Sequence, residues 1–184
     1  DEDVIDKALD WLEAGHPVAL ATVVETWGSS PRPRGSQLAV RDDGLFVGSV
    51  SGGCVESRVV EMAQRSMRDG GHRLLEFGIT NDEAWEVGLA CGGTVRIYVA
   101  PAGLDELRGP LSRTVLEALR AARAGRRALV LLTPLDGGRV HSFAPGDPGL
   151  SPQLQTAASR ALATDDAAVV ATAEGPIFVQ AFNP

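Results

Sequence analysis

Two cysteines stand in this chain, each set among glycines: Cys54 in "GSVSGGCVESRVVEMAQ" and Cys91 in "GLACGG". A cysteine in such a place can pack, ligate or react. Glycines ahead of a helix let the backbone approach a bound group closely, and the N–H groups of the first helical turn favour an anion there. The spacing is neither that of a P-loop, since no Gly-Lys-Ser/Thr follows, nor the dinucleotide G-x-G-x-x-G. The competing reading is a tight connection that binds nothing. A thiol in the first helical turn should ionise more readily than an ordinary cysteine, so Cys54 is expected to be more reactive than Cys91. For Cys91 the plainer reading is a small buried hydrophobe. Glu56 is read as a helix-start charge favourable to the dipole, in preference to an acid or base.

Two thiols make a poor structural zinc site, which takes four ligands, and His16, His72 and His141 are scattered without metal spacing. A soft centre such as molybdenum, or a sulfur-bearing ligand, suits isolated sulfur donors better. Pairing of Cys54 with Cys91 lacks the C-x-x-C arrangement. A third segment, "ETWGSSPRPRGSQLAV", holds Arg32 and Arg34 between prolines, with Ser29 and Ser30 adding hydroxyls. Guanidinium groups suit phosphate or carboxylate; the alternative is an exposed loop with solvated charges.

The elements that must carry these segments read clearly. Val4, Ile5, Ala8, Leu9 and Leu12 mark one face of a helix over residues 3–15, stopped at Gly15. "PVALATVVET" reads as a buried strand and "SQLAVRDDGLFVGSV" as two strands about Asp42-Asp43-Gly44. A helix from about 54 to 68 ends at "DGG", "HRLLEFGI" resumes extended structure, and "TVRIYVAP" is a strand closed by its proline. "TNDEAWEVGLACGG" is a long loop or short irregular helix. The remainder gives helix, two strands, a helix capped by Ser151 with Pro152 at its first position, and two more strands. The expectation is an α/β fold of mixed sheets with helices, and a helix–strands–helix–two-strands unit used twice. "LEAGHPVALAT" echoes "ARAGRRALVLL", and "GTVRIYVAP" echoes "GPIFVQAFNP". The division is residues 1–101, which hold the glycine–cysteine segments, and 102–184, read as support.

The 184 residues with 44% hydrophobic content suffice for one domain or two small ones. A net charge of -7 argues against nucleic acid, because phosphate neutralisation needs clustered Lys and Arg. The longest apolar runs fall short of the roughly 20 residues a bilayer crossing takes, and no leader pattern opens the chain. A cytoplasmic protein is expected, and two cysteines are too few for a disulfide scaffold.

In this order, "GSSPRPRGSQLAV", "GSVSGGCVE" and "GLACGGTVRIYVAP" resemble the N-terminal domain of the XdhC/CoxI family, over about residues 8–101 with a looser fit beyond. The resemblance implies a maturation factor for molybdenum hydroxylases such as xanthine dehydrogenase. Such a protein binds molybdenum cofactor, protects it while its terminal sulfur is installed, and delivers it to the apoenzyme. The implied partners are the apo molybdenum hydroxylase, a cysteine desulfurase and a second copy in a homodimer. The family motifs fall on Ser29, Ser30 and Arg32, on Ser51, Gly52, Gly53, Cys54 and Glu56, and on Cys91, Gly92 and Gly93. On this reading Arg32 and the Gly52–Gly53 backbone hold phosphate, with Cys54 and Cys91 near the metal or its sulfur ligands. Longer members continue into a Rossmann-like domain that this sequence does not contain. The rival readings are a Cys54-dependent transferase or oxidoreductase, which lacks a base nearby in sequence, and a docking module for the hydroxylase alone.

Overall fold

The computed structural model describes residues 2–28, 32–53, 55–78, 93–103 and 109–184. The first half holds α1 (Glu2–Glu13), β1 (Val18–Trp27), β2 (Gln37–Arg41), β3 (Phe46–Gly48), α2 (Glu56–Asp69), β4 (Arg73–Phe77) and β5 (Thr94–Ala102). The second holds α3 (Arg113–Ala124), β6 (Leu129–Pro134), β7 (His141–Phe143), α4 (Pro152–Thr164), β8 (Ala168–Thr172) and β9 (Gly175–Phe182). The five residues that mark the face of α1 are all buried, joined by Trp11. Helix α2 stops where Gly70 turns left-handed at φ +77° and returns its N–H to the Ser66 carbonyl. Ser112 and Ser151 cap α3 and α4, their hydroxyls accepting from the N–H groups of Val115 and Leu154. Pro152 takes the first position of α4, where a missing N–H costs nothing.

The strands form two sheets, ordered β3-β2-β1-β5-β4 and β7-β6-β9-β8, and every pairing among them is antiparallel. With β3 set aside, the halves share one connectivity: helix, hairpin, helix, hairpin, with equivalent strands in equivalent places. The sequence echoes fall on matching elements, the first on the α1–β1 and α3–β6 junctions and the second on β5 and β9. One expectation needs adjustment. Pro101 does not close its strand; β5 runs on to Ala102, with Pro101 opposite Ala19. Strand β4 reaches only as far as Val99, so Pro101 lies where β5 has an open flank and a missing N–H is tolerated.

The halves pack sheet to sheet. Helix α2 covers one face of the five-stranded sheet through Val55, Val59 and Ala63 against Val23, Ile97 and Val99. The opposite face joins α1, α3 and the second sheet in one core that includes Leu9, Leu116, Leu131 and Phe178. Helix α4 closes the outer face of the second sheet through Ala158 and Ala161. Among the described residues, no helix is long and apolar enough to cross a membrane.

Candidate functional site

Register places the three motif segments at one end of the five-stranded sheet. Trp27, where β1 ends, lies opposite Thr94, where β5 begins, and Phe77 at the end of β4 lies opposite Val95. On the other flank Gln37 opens β2 opposite Thr22, and Gly48 closes β3 opposite Leu38. The segments after β1, after β3 and before β5 therefore leave from or arrive at a common rim. Two of them touch: a Cβ on Gly28 would lie 3.3 Å from the Gly93 Cα, and both glycines are left-handed, at φ +71° and +74°. A bulge in β1 between Val23 and Glu25 changes the pairing there. It sets Glu25 3.0 Å from Arg96, whose guanidinium lies 5.4 Å from the Trp27 ring centre. Trp27 remains 44% exposed at the rim.

The segment between β3 and α2 is organised around one carboxylate. Glu56, the first residue of α2, is buried and accepts five hydrogen bonds from the turn that precedes it. Its Oε2 accepts from Ser49 Oγ at 3.0 Å, from the Val50 N–H at 3.0 Å and from the Ser51 N–H at 3.1 Å. Its Oε1 accepts from the Ser51 hydroxyl and from the Gly53 N–H at 3.0 Å. The turn doubles back only because Gly52 and Gly53 adopt φ of +73° and +112°. Two further amides are spent locally, Gly52 donating to Ser49 Oγ at 2.9 Å and Val55 to Ser51 Oγ at 3.0 Å. Burial alone would raise the Glu56 pKa, but the Ser51, Val50 and Ser49 donors outweigh it and bring it down to about 2. An anion does sit at this helix start, and it is the protein's own. The Gly52 and Gly53 amides are thus already donated, so they do not stand open to phosphate.

Of the other positions singled out by sequence, Ser29, Ser30, Cys54, Cys91 and Gly92 lie outside the described residues. Among the described residues no cluster of three or more His, Cys, Asp or Glu could hold a metal ion. Arg32 lies in the wall of a cleft of about 460 Å³ between the two halves, whose lining takes in no residue of the Glu56 turn. Sequence reasoning missed Ser49, which completes the carboxylate cage, and Gln37 and Gln180, which are buried where the sheets face one another. The available signal was an amide side chain at an inward phase of an apolar strand, as in "FVQAF".

Comparison with known proteins bears on the same segments. Residues 11–78 match the model of the XdhC and CoxI family. This stretch is similar to that family. The matched segment takes in "GSSPRPRG" and "GSVSGGCVE", whereas "GLACGG" lies beyond it. Over 95 residues, 51% of the chain, the sequence is 37% identical to the molybdenum cofactor insertion chaperone PaoD of Escherichia coli (strain K12), covering 29% of that protein. It is 31% identical over 102 residues, 55% of the chain and 19% of the relative, to the uncharacterized protein YqeB of the same organism. A probable xanthine dehydrogenase subunit of Bacillus subtilis (strain 168) is 27% identical over 89 residues, 47% of the chain and 27% of the relative. Each match covers less than a third of the relative's length. The fold is like that of a crystal structure described as a xanthine dehydrogenase from Bacillus halodurans, with a TM-score of 0.63 and 20% identity. That likeness spans 96% of this chain and 53% of the other, and it concerns the fold.

Proposed function

We propose that the protein is an accessory factor that binds molybdenum cofactor and protects and delivers it during maturation of a molybdenum hydroxylase. The observation that carries this reading is the common rim: three glycine-rich segments, two of them bearing the cysteines, are anchored at one end of one sheet. Such convergence is what a carrier of a small anionic, sulfur-ligated molecule needs. The family match over residues 11–78 and the similarity to a cofactor insertion chaperone support it. The cofactor is cargo here, bringing a phosphate and a dithiolene-bound metal. On the protein side Cys54 and Cys91 are the soft donors, and Arg32 with neighbouring guanidinium groups serves the phosphate. The Glu56 cage fixes the turn on either side of Cys54. The same reading implies contact with the apoenzyme and a cysteine desulfurase, and a homodimeric state.

Titration with released molybdenum cofactor tests the proposal. Saturable binding is expected, and weakening is expected in a Cys54→Ala, Cys91→Ala double variant. Equal binding by that variant would remove the thiol roles, and absence of binding to the wild type would remove the carrier reading.

A further inference from the structure

The cleft between the halves gathers cations. Arg32 and Arg34 enter it from the segment before β2, Arg123 from the last turn of α3 and Arg127 from the connection between α3 and β6. Against four guanidinium groups its wall carries one side-chain carboxylate among the described residues, Asp165, in a chain whose net charge is -7. Two of the four are committed: Arg34 grips Asp166 with both contacts at 3.1 Å, and Arg123 pairs with Asp6. Arg127 is exposed and has no carboxylate partner among the described residues. Its fork is open to an incoming oxyanion on the same wall as Arg32.

The inner wall carries two glutamines among the apolar side chains of the facing sheets. Gln37 donates through Nε2 to Thr22 Oγ1 at 3.4 Å, and Gln180 through Nε2 to the Gly35 carbonyl at 3.1 Å. The amide oxygen of each has no partner among the described residues. Both side chains also line a smaller cavity of about 20 Å³ just behind the cleft. That cavity is lined as well by Tyr98, which is 3% exposed and whose hydroxyl has no hydrogen-bond partner among the described residues. The stranded Tyr98 hydroxyl costs stability unless a ligand or water meets it. Leu119 and Phe182 supply an apolar wall, and about 460 Å³ falls in the range of small-molecule sites.

We propose that this cleft is an organophosphate site: a phosphate monoester docks on Arg127 while a flat heterocycle bearing N–H groups turns its polar edge toward Gln37 and Gln180. The inference rests on the carrier reading, for which a phosphorylated pterin is the cargo class. It moves the phosphate away from the Gly52–Gly53 turn, whose amides serve Ser49 and Glu56.

The experiment compares 6-hydroxymethylpterin and its phosphate monoester as probes, titrated into the full chain and followed by pterin fluorescence. The wild type is expected to prefer the phosphorylated probe by about tenfold, the gain from one guanidinium–phosphate contact. Arg127→Ala is expected to erase that preference and leave the unphosphorylated probe and thermal unfolding unchanged, with Arg127→Lys restoring part of it. Arg58→Ala, on the far helix α2, is expected to change nothing. No preference in the wild type, or a preference that survives Arg127→Ala, overturns the cleft. Neither result touches the carrier reading, which titration with released molybdenum cofactor decides separately.

Discussion

At the scale of single residues, Glu56 is where charge and conformation are most tightly joined. Its carboxylate is buried among five donors, so the folded chain holds it ionised far below the ordinary carboxylate value of 4.5, at about 2. In the unfolded chain it takes up its proton first. The contribution to stability is therefore complete above about pH 4.5 and is lost as pH falls through 4.5 toward 2. Glu56→Gln is expected to cost about 2 kcal/mol at neutral pH, because one carboxylate oxygen becomes a donor facing donors. Urea unfolding at pH 7 and pH 3 checks it: the gap between wild type and variant should shrink at the lower pH, and a constant gap contradicts the cage. The sequence told that an acid stands at a helix start. It could not tell that this acid consumes the neighbouring amides, because that depends on Gly52 and Gly53 reversing the chain upon it.

Strands and turns set the rim, and Gly48 shows how tightly. It closes β3 at φ +97°, and a Cβ there would fall 2.3 Å from the Gln37 carbonyl oxygen and 2.9 Å from a Val4 methyl. A backbone oxygen in a ladder cannot step aside without parting β3 from β2. Gly48→Ala is therefore expected to destabilise by about 3 kcal/mol. Gly53 has φ +112° but open space around its Cβ position, so Gly53→Ala should cost only about 1 kcal/mol of backbone strain. Chemical denaturation of the two variants checks the order, and equal costs would contradict the close approach. Most elements were legible because their apolar residues keep the period of helix or strand, as in Val4 to Leu12 of α1. Pro101 was not, since its tolerance depends on how far β4 extends along its neighbour. The arginine cleft was also hidden: Arg32 and Arg127 are 95 residues apart in sequence numbering, and only the packing of the halves brings them to one wall.

For the whole molecule, one core crosses the boundary between residues 1–101 and 102–184, with Leu9 and Leu20 on one side and Leu116 and Phe178 on the other. Leu116→Ala, in a fully buried position, is expected to cost about 3 kcal/mol. It should move fluorescence and circular dichroism transitions together, since each half covers the other's sheet. Two separate transitions would instead show halves that fold independently. Expressed alone, residues 1–101 would present Leu20, Val24 and Tyr98 to water, and aggregation or loss of fixed structure is the expected outcome, checked by NMR dispersion. The shared connectivity of the halves has a practical corollary. Where the first half carries its long glycine-rich excursions, the second joins the equivalent strands β8 and β9 by the short reversal at Ala173 and Glu174. The molecule thereby encloses its own blank, a similarly wired scaffold stripped of the cysteine-bearing excursion between those strands, against which a transplanted motif could be judged for what it does by itself.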